Sequence, residues 1–242
     1  MRRSNVATYT GLYSDIRSLF AATPQAKKLG LGAGAFSFNT KGGRCETCEG
    51  LGVVPNNLLF FADTEITCPV CGGRRFGEKV LSVRWNGKNI SDILSLSVEE
   101  AMEMFAAERR LAARLHTLCS AGLGYLGQTL TTLSGGEGQR LKLAKELMEQ
   151  AQNNVLYLMD EPTVGLHPLD VEHFLALLNG MVEGGATVIA VEHNQQVIAA
   201  SDWVVELGPG GGVDGGRAVF SGTPQELAAC TESATGRFLE GW

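Results

Sequence analysis

Two cysteine pairs constrain this chain more tightly than any other feature of it. Cys45-x2-Cys48 is followed, after residues 49–67, by Cys68-x2-Cys71. Two residues between cysteines let both sulfurs of one knuckle face a single point. Two such knuckles complete a tetrahedron of thiolates with no position left for water, which is the pattern of a structural zinc site. Gly50, Gly52, Gly72 and Gly73 stand where the knuckles must turn sharply. The spacing therefore predicts a zinc module over residues 41–77. Thiols held for a metal rather than for disulfides also point to a reducing, cytoplasmic setting.

Between the pairs, Val53 to Thr67 reads as a hairpin displayed by the metal. Lys41, Arg44, Arg74 and Arg75 flank it. Basic side chains beside a rigid hairpin suit contacts with DNA phosphates, although a solvated rim is equally consistent with the spacing. Charge is unevenly spread along the chain. Residues 1–90 carry 12 Lys/Arg against 6 Asp/Glu, whereas the whole chain has a net charge of −6. An acidic total thus conceals a basic front section that suits a polyanion. No apolar run reaches the roughly 18 residues of a membrane span, and the start, Met1 to Ala7, has no apolar core of a secretion signal.

Local patterns predict an α/β layer fold. Ile16, Leu19 and Phe20 mark a helix over 14–22. Val80 to Trp85 alternates like a strand and leads into an Asn86-Gly87 turn. Ser97 and Glu100 form a capping box that opens a helix running to about Leu118. A loop over 122–136 precedes a helix over 137–150. Val155 to Met159 and Thr187 to Val191 are continuous apolar runs, expected as buried parallel strands. Val171, Phe174, Leu175, Leu178 and Val182 make a helical stripe between them. Short strands follow at 203–205 and 218–220. Thr223, Pro224 and Glu226 then cap a last helix. There is no internal repeat. Gly30 to Ala35 weakly suggests a dinucleotide loop, but no strand precedes it.

Three elements carry chemistry. Ser134, Gly135 and Gly136 open a predicted helix, where exposed N–H groups and the helix dipole favour an anion. Asp160 and Glu161 end an apolar strand, where α/β sheets bind ligands. One carboxylate can hold magnesium while the other polarises an attacking water. His193 ends the next apolar strand, within reach of a γ-phosphate.

In this order the elements resemble an ABC ATPase. LSGGEGQR resembles the signature, NVLYLMDEPTVGLHPLD the Walker B strand and D-loop, and EH the switch histidine. With LGPGGGVDGG, RSNVATYTG and FSFN-x-x-GGRCE-x-C-x-G, residues 2–229 are similar to the UvrA family, the damage-recognition ATPases of bacterial nucleotide excision repair. The resemblance implies an α/β, ABC-type nucleotide-binding domain with an inserted four-cysteine zinc module. It implies a remnant of the ATPase domain at 1–40, the module at 41–77, a signature-side helical segment at 78–132 and the ATPase core at 133–242. It further implies that Glu161 is the catalytic base, His193 the switch and Asp160 the magnesium residue. Ser134, Gly135, Gly136, Glu137 and Gln139 would grip ATP held by an opposite site, with His167 in the D-loop. Cys45, Cys48, Cys68 and Cys71 would bind zinc. Damaged duplex DNA, a UvrB-like helicase and a nuclease are the implied partners.

The sequence also departs from the family. G-x4-G-K-[ST] is absent; Gly87-Lys88 is followed by Asn89. These residues therefore include no P-loop lysine for the β- and γ-phosphates. The ATPase domain is expected to be partial, lacking the P-loop strand and helix, so that the strand at 155–159 loses a neighbour. ATP hydrolysis then requires a P-loop-bearing partner; a UvrA-type half with a P-loop, or a second copy, is among the implied partners. Gly138 stands where the family usually has alanine, and Leu58-Leu59-Phe60-Phe61 replaces a more charged hairpin. Two alternatives stay open: a zinc-dependent DNA-binding module with a vestigial ATPase remnant, and a UvrA-like paralogue for drug self-protection.

Overall fold

A computed structural model of the chain describes residues 5–56, 64–127, 133–149, 154–208, 210 and 215–239. The Leu58–Phe61 run, Gln128 and most of the glycine-rich stretch after Gly208 lie outside these residues. The chain forms two compact units, Met1–Glu137 and Gly138–Trp242.

The first unit is mainly helical. Short helices α1 (Val6–Tyr9), α2 (Leu12–Ala22) and α3 (Pro24–Lys28) lead to a 3-10 turn at Ala33–Phe36. Leu12, Tyr13, Ile16 and Phe20 line the buried face of α2. The cysteine knuckles follow, joined by the antiparallel hairpin β1 (Val53–Asn56) and β2 (Thr64–Thr67). Next come α4 (Glu78–Leu81), α5 (Ile90–Leu94), α6 (Val98–Met104) and α7 (Arg109–Ser120). Arg114 of α7 ties the helices back to the start of the unit, with Nη1 3.0 Å from Asp15 Oδ2 and Nη2 donating to the Thr10 carbonyl.

Two expectations fail in this unit, each for a visible reason. The strand expected at 80–85 is helix α4 followed by a turn. Val80, Leu81 and Val83 are all buried, and that spacing satisfies a helical turn as readily as an alternation. Trp85 makes only an isolated bridge, to Lys88, across Asn86 and Gly87 at φ 47° and 81°. The turn itself is as the sequence predicts. The long helix from Ser97 has its capping box but stops at Phe105, which is buried and stacks on Trp85 with ring centroids 5.0 Å apart. The chain restarts as α7.

The second unit is layered. Helix α8 (Gly135–Glu149) runs into it and is followed by β3 (Leu156–Asp160), α9 (Pro168–Glu183) and β4 (Thr187–Val191). β3 and β4 pair in parallel from Leu156 opposite Thr187 to Asp160 opposite Val191. Helix α10 (Gln195–Ala200), an antiparallel pair β5 (Val204–Gly208) and β6 (Arg217–Gly222), and α11 (Pro224–Ala229) complete it. Thr223 caps α11 in the predicted box. The core lies around α9, where Val171, Phe174, Leu177 and Met181 are buried.

The strands at 155–159 and 187–191 are parallel, as expected, but they are not buried on both faces. Leu156, Leu158, Ile189 and Val191 share one face and are exposed, Leu158 by 72%. Among the described residues no layer covers that face, whereas a parallel sheet ordinarily has both faces covered.

Candidate functional site

The cysteine module buries its four thiols together. All four cysteines are buried, and their sulfurs lie within 4.8 Å of one another. Cys45 and Cys68 sulfurs are 4.0 Å apart, and those of Cys48 and Cys71 are 3.6 Å apart. A tetrahedron with zinc–sulfur bonds of about 2.3 Å has edges of about 3.8 Å, between these two values. The Gly52 N–H donates to Cys48 Sγ at 3.2 Å. Burial pushes the Cys71 thiol up to about 12, and backbone N–H bonds hold Cys68 down to about 7. Buried thiols this close, one of them strongly resisting ionisation, fit a dication that would stabilise the thiolates.

Glycines let the module sit against the turn that precedes it. Gly50 has φ 80°, and a Cβ there would stand 1.8 Å from the Phe38 carbonyl oxygen. Only glycine meets both demands.

The flanking basic residues divide. Lys41 is exposed. Arg74 is half-exposed, donating to the Cys71 carbonyl and standing 3.9 Å from Glu78. Arg44 is different: its side chain is buried, with Nε donating to Glu46 at 3.2 Å. Arg75 lies over the Phe38 ring at 5.4 Å. These last two arginines serve the module's own carboxylates and aromatics. No residue pattern signals this, because a buried and an outward arginine are spelled alike.

Ser134 caps α8 reciprocally with Glu137. The Ser134 N–H donates to Glu137 Oε2 at 2.6 Å, and Glu137 N–H donates to Ser134 Oγ at 3.3 Å. The Tyr125 hydroxyl also bonds Glu137. Gly135 and Gly136 form the first turn, and Gln139 follows on the same helix. Arg140, fully buried, pairs with Asp170 of α9 at 2.8 Å.

The carboxylates sit where the strand ends. Asp160 closes β3, and Glu161 follows with φ 41°, a left-handed backbone rarely adopted by non-glycine residues. The Glu161 N–H bonds the Val191 carbonyl at 2.9 Å, and its own carbonyl accepts from Val164 at 3.1 Å, which fixes the turn. His193, just past β4, places Nε2 3.4 Å from Glu161 Oε1. The His193 side chain is largely open to solvent and that of Glu161 is half-exposed. His167 is the N-cap of α9, its Nδ1 accepting from Leu169 N–H at 3.3 Å.

No protein-family model matches the chain. Curated relatives do. The chain is 48% identical over 240 residues to UvrABC system protein A of Pseudomonas aeruginosa, and 50% identical over 239 residues to the protein of that name from Thermus thermophilus. Each match covers 98% of the chain. A solved structure, UvrA2 from Deinococcus radiodurans, shares the fold over 99% of the chain with a TM-score of 0.84 and 53% identity. The chain is of the UvrA family. It spans 25% of the length of those two curated relatives and 30% of the solved UvrA2 chain. Its fold is of the ABC ATPase type, and its clustered cysteines fit the zinc module expected in this UvrA-family sequence.

One participant escaped the sequence reading. Glu192, beside His193, bonds both to the turn after β3 and to the turn after β4. The pattern Glu-His drew attention to the histidine, and nothing in the spacing announced the carboxylate's role.

Proposed function

We propose that this chain supplies the water-activating and trans-gripping parts of a UvrA-type ATPase that recognises damaged DNA in nucleotide excision repair. The observation that carries the reading is the meeting of Glu161 and His193, 3.4 Å apart, beside Asp160 at the ends of two parallel strands. Asp160 would hold magnesium, which when bound neutralises charge on the phosphates. Glu161 takes a proton from the attacking water, and His193 orients toward the γ-phosphate. Ser134, Gly135, Gly136, Glu137 and Gln139, at the start of α8, face ATP seated on an opposing site. No P-loop to seat it is among these residues, so in this reading the site is composite and a P-loop-bearing UvrA-type half completes it. In this reading the ATPase domain represented here is partial, lacking the P-loop strand and helix. A UvrB-like helicase and a nuclease act after damage is found. Zinc holds the hairpin of β1 and β2 toward DNA, with Lys41 and Arg74 the outward cations beside it.

ATP hydrolysis by the chain alone and in a mixture with a P-loop-bearing UvrA-type half tests this. Turnover is expected only in the mixture, and Glu161→Gln should abolish it. Turnover by the lone chain, or turnover in the mixture that survives Glu161→Gln, overturns the proposal. The closed cysteine cluster favours a second reading, a zinc-dependent DNA-binding module beside an idle ATPase remnant. That reading expects salt-dependent DNA binding without nucleotide, lost on chelation or in Cys45→Ser, and no hydrolysis in the mixture.

A further inference from the structure

Glu192 is exposed only in part, and its carboxylate accepts three backbone N–H groups. Oε1 accepts from Thr163 at 2.8 Å. Oε2 accepts from His193 at 2.9 Å and from Asn194 at 3.1 Å. Thr163 lies two residues past Glu161, and Asn194 caps α10 with its own side chain. A single side chain thus bonds to the turn that presents Glu161 and to the turn that presents His193. These are the two groups that stand 3.4 Å apart.

We infer that Glu192 is a positioning residue, which fixes the distance and orientation between Glu161 and His193. The inference rests on the hydrolytic reading above for its consequence, and on hydrogen bonds alone for its geometry. The chemistry explains why a carboxylate stands here. Two ionised oxygens offer about four lone-pair sites and no donor, so both turns can be met at once. A glutamine has one acceptor oxygen; its amide N–H group would face a backbone N–H on the other side. Hydrogen bonds to an ionised acceptor are also shorter and about twice as strong as neutral ones. The strained backbone at Glu161 needs such a restraint, because a left-handed non-glycine residue persists only where its surroundings over-determine it.

The test compares wild type, Glu192→Gln and Glu192→Asp in the full chain. Amide hydrogen exchange is read at Thr163, His193 and Asn194, with Leu158 and Ile189 as controls within the sheet. The His193 ring resonances are followed by NMR. ATP turnover is measured in the mixture with the P-loop-bearing half. In Glu192→Gln, exchange at one or both turns rises at least tenfold while the controls hold. The His193 ring resonances shift, and kcat falls at least tenfold with KM for ATP changed less than twofold. Glu192→Asp keeps the charge on a shorter stem and shows the same changes, smaller. Unchanged exchange at all three amides overturns the inference, as does faster exchange with an unmoved His193 ring or a retained kcat. If the wild-type mixture fails to hydrolyse ATP, the hydrolytic reading fails instead, and the exchange and ring data still decide whether Glu192 holds the two turns together.

Discussion

The cysteine module and the carboxylate-bearing sheet solve opposite problems. The module gathers all its ligands from residues 45–71, buries them and packs its glycines against a neighbouring turn. The sheet of β3 and β4 places Glu161 and His193 in the open and leaves Leu158 and Ile189 exposed on one face. A site complete in itself can be closed, because nothing has to enter. On the proposed reading the second site receives a nucleotide and a second protein surface, so it has to stay open, and part of its stability lies in whatever covers it. The two regions should therefore respond differently to the same kind of insult.

Metal removal should produce the largest difference. Structural zinc contributes on the order of 10–16 kcal/mol in small modules. Chelation, or Cys48→Ser, should expose the amides of residues 41–77 to exchange while those of β3 and β4 keep their protection. Equal loss in both regions would break the contrast drawn here, and full protection of the module without metal would show that zinc does not hold it.

Next in size is Gly50→Ala. The new Cβ meets a carbonyl oxygen at 1.8 Å, and the backbone at φ 80° is unfavourable for alanine. A loss of roughly 3 kcal/mol or more is expected, read as a lower denaturant midpoint for the first unit. In the second unit the matching experiment is Asp170→Asn, which removes the charge that Arg140 meets at 2.8 Å. Breaking a buried pair on one side costs about 3–5 kcal/mol. Asp170 is partly open to water, so about 2 kcal/mol is the expected effect, in the second unit alone.

Legibility in the sequence followed the range of the interactions. Caps and turns were readable because they are local: Ser97 with Glu100, Thr223 with Glu226, and Asn86-Gly87 all form as their side chains dictate. The clustering of the four cysteines was readable because two-residue spacing fixes the direction of each sulfur pair. The strand expected at 80–85 failed because Leu81 and Val83 fit an alternation while Val80 and Val83 fit a helical turn, and packing chose the helix. Phe105 ended a helix that local pattern would have continued, because its ring stacks on a tryptophan distant in sequence. The meeting of Glu161 with His193 could be expected from strand order, since parallel neighbours end side by side. The bond from Glu192 to Thr163 spans the α9 crossover and left no mark on the spacing of residues.

A pH series sharpens the comparison from the second unit. Burial raises the Glu206 carboxyl, but bonds from Ser233 Oγ at 2.6 Å, Thr235 Oγ1 at 2.7 Å and Thr235 N–H at 3.0 Å outweigh it, so its pKa lies below the ordinary 4.5. A depressed carboxylate stabilises the folded form above its unfolded pKa and ceases to do so as pH falls through the folded value. The second unit should therefore lose stability as the pH drops below the ordinary carboxylate range. In Glu206→Gln that part of the acid loss should vanish, leaving a flatter profile. An unchanged profile would mean that the three bonds do not distinguish the folded carboxylate from the unfolded one.

The smallest expected effect bears most directly on what an open site requires. Gly138 lies within α8, and a Cβ added there would meet nothing within 4 Å. Alanine is favoured over glycine in a helix interior by about 1 kcal/mol. Gly138→Ala should therefore stabilise the lone chain by about that much, read as a higher unfolding midpoint, since no side chain is in the way. The same variant in the mixture with a P-loop-bearing half separates two causes of the glycine. If turnover is unchanged, Gly138 is a tolerated weakness in the helix. If stability rises while turnover falls, the empty space beside it belongs to the partner surface, and the glycine is the clearance that an incomplete site must keep.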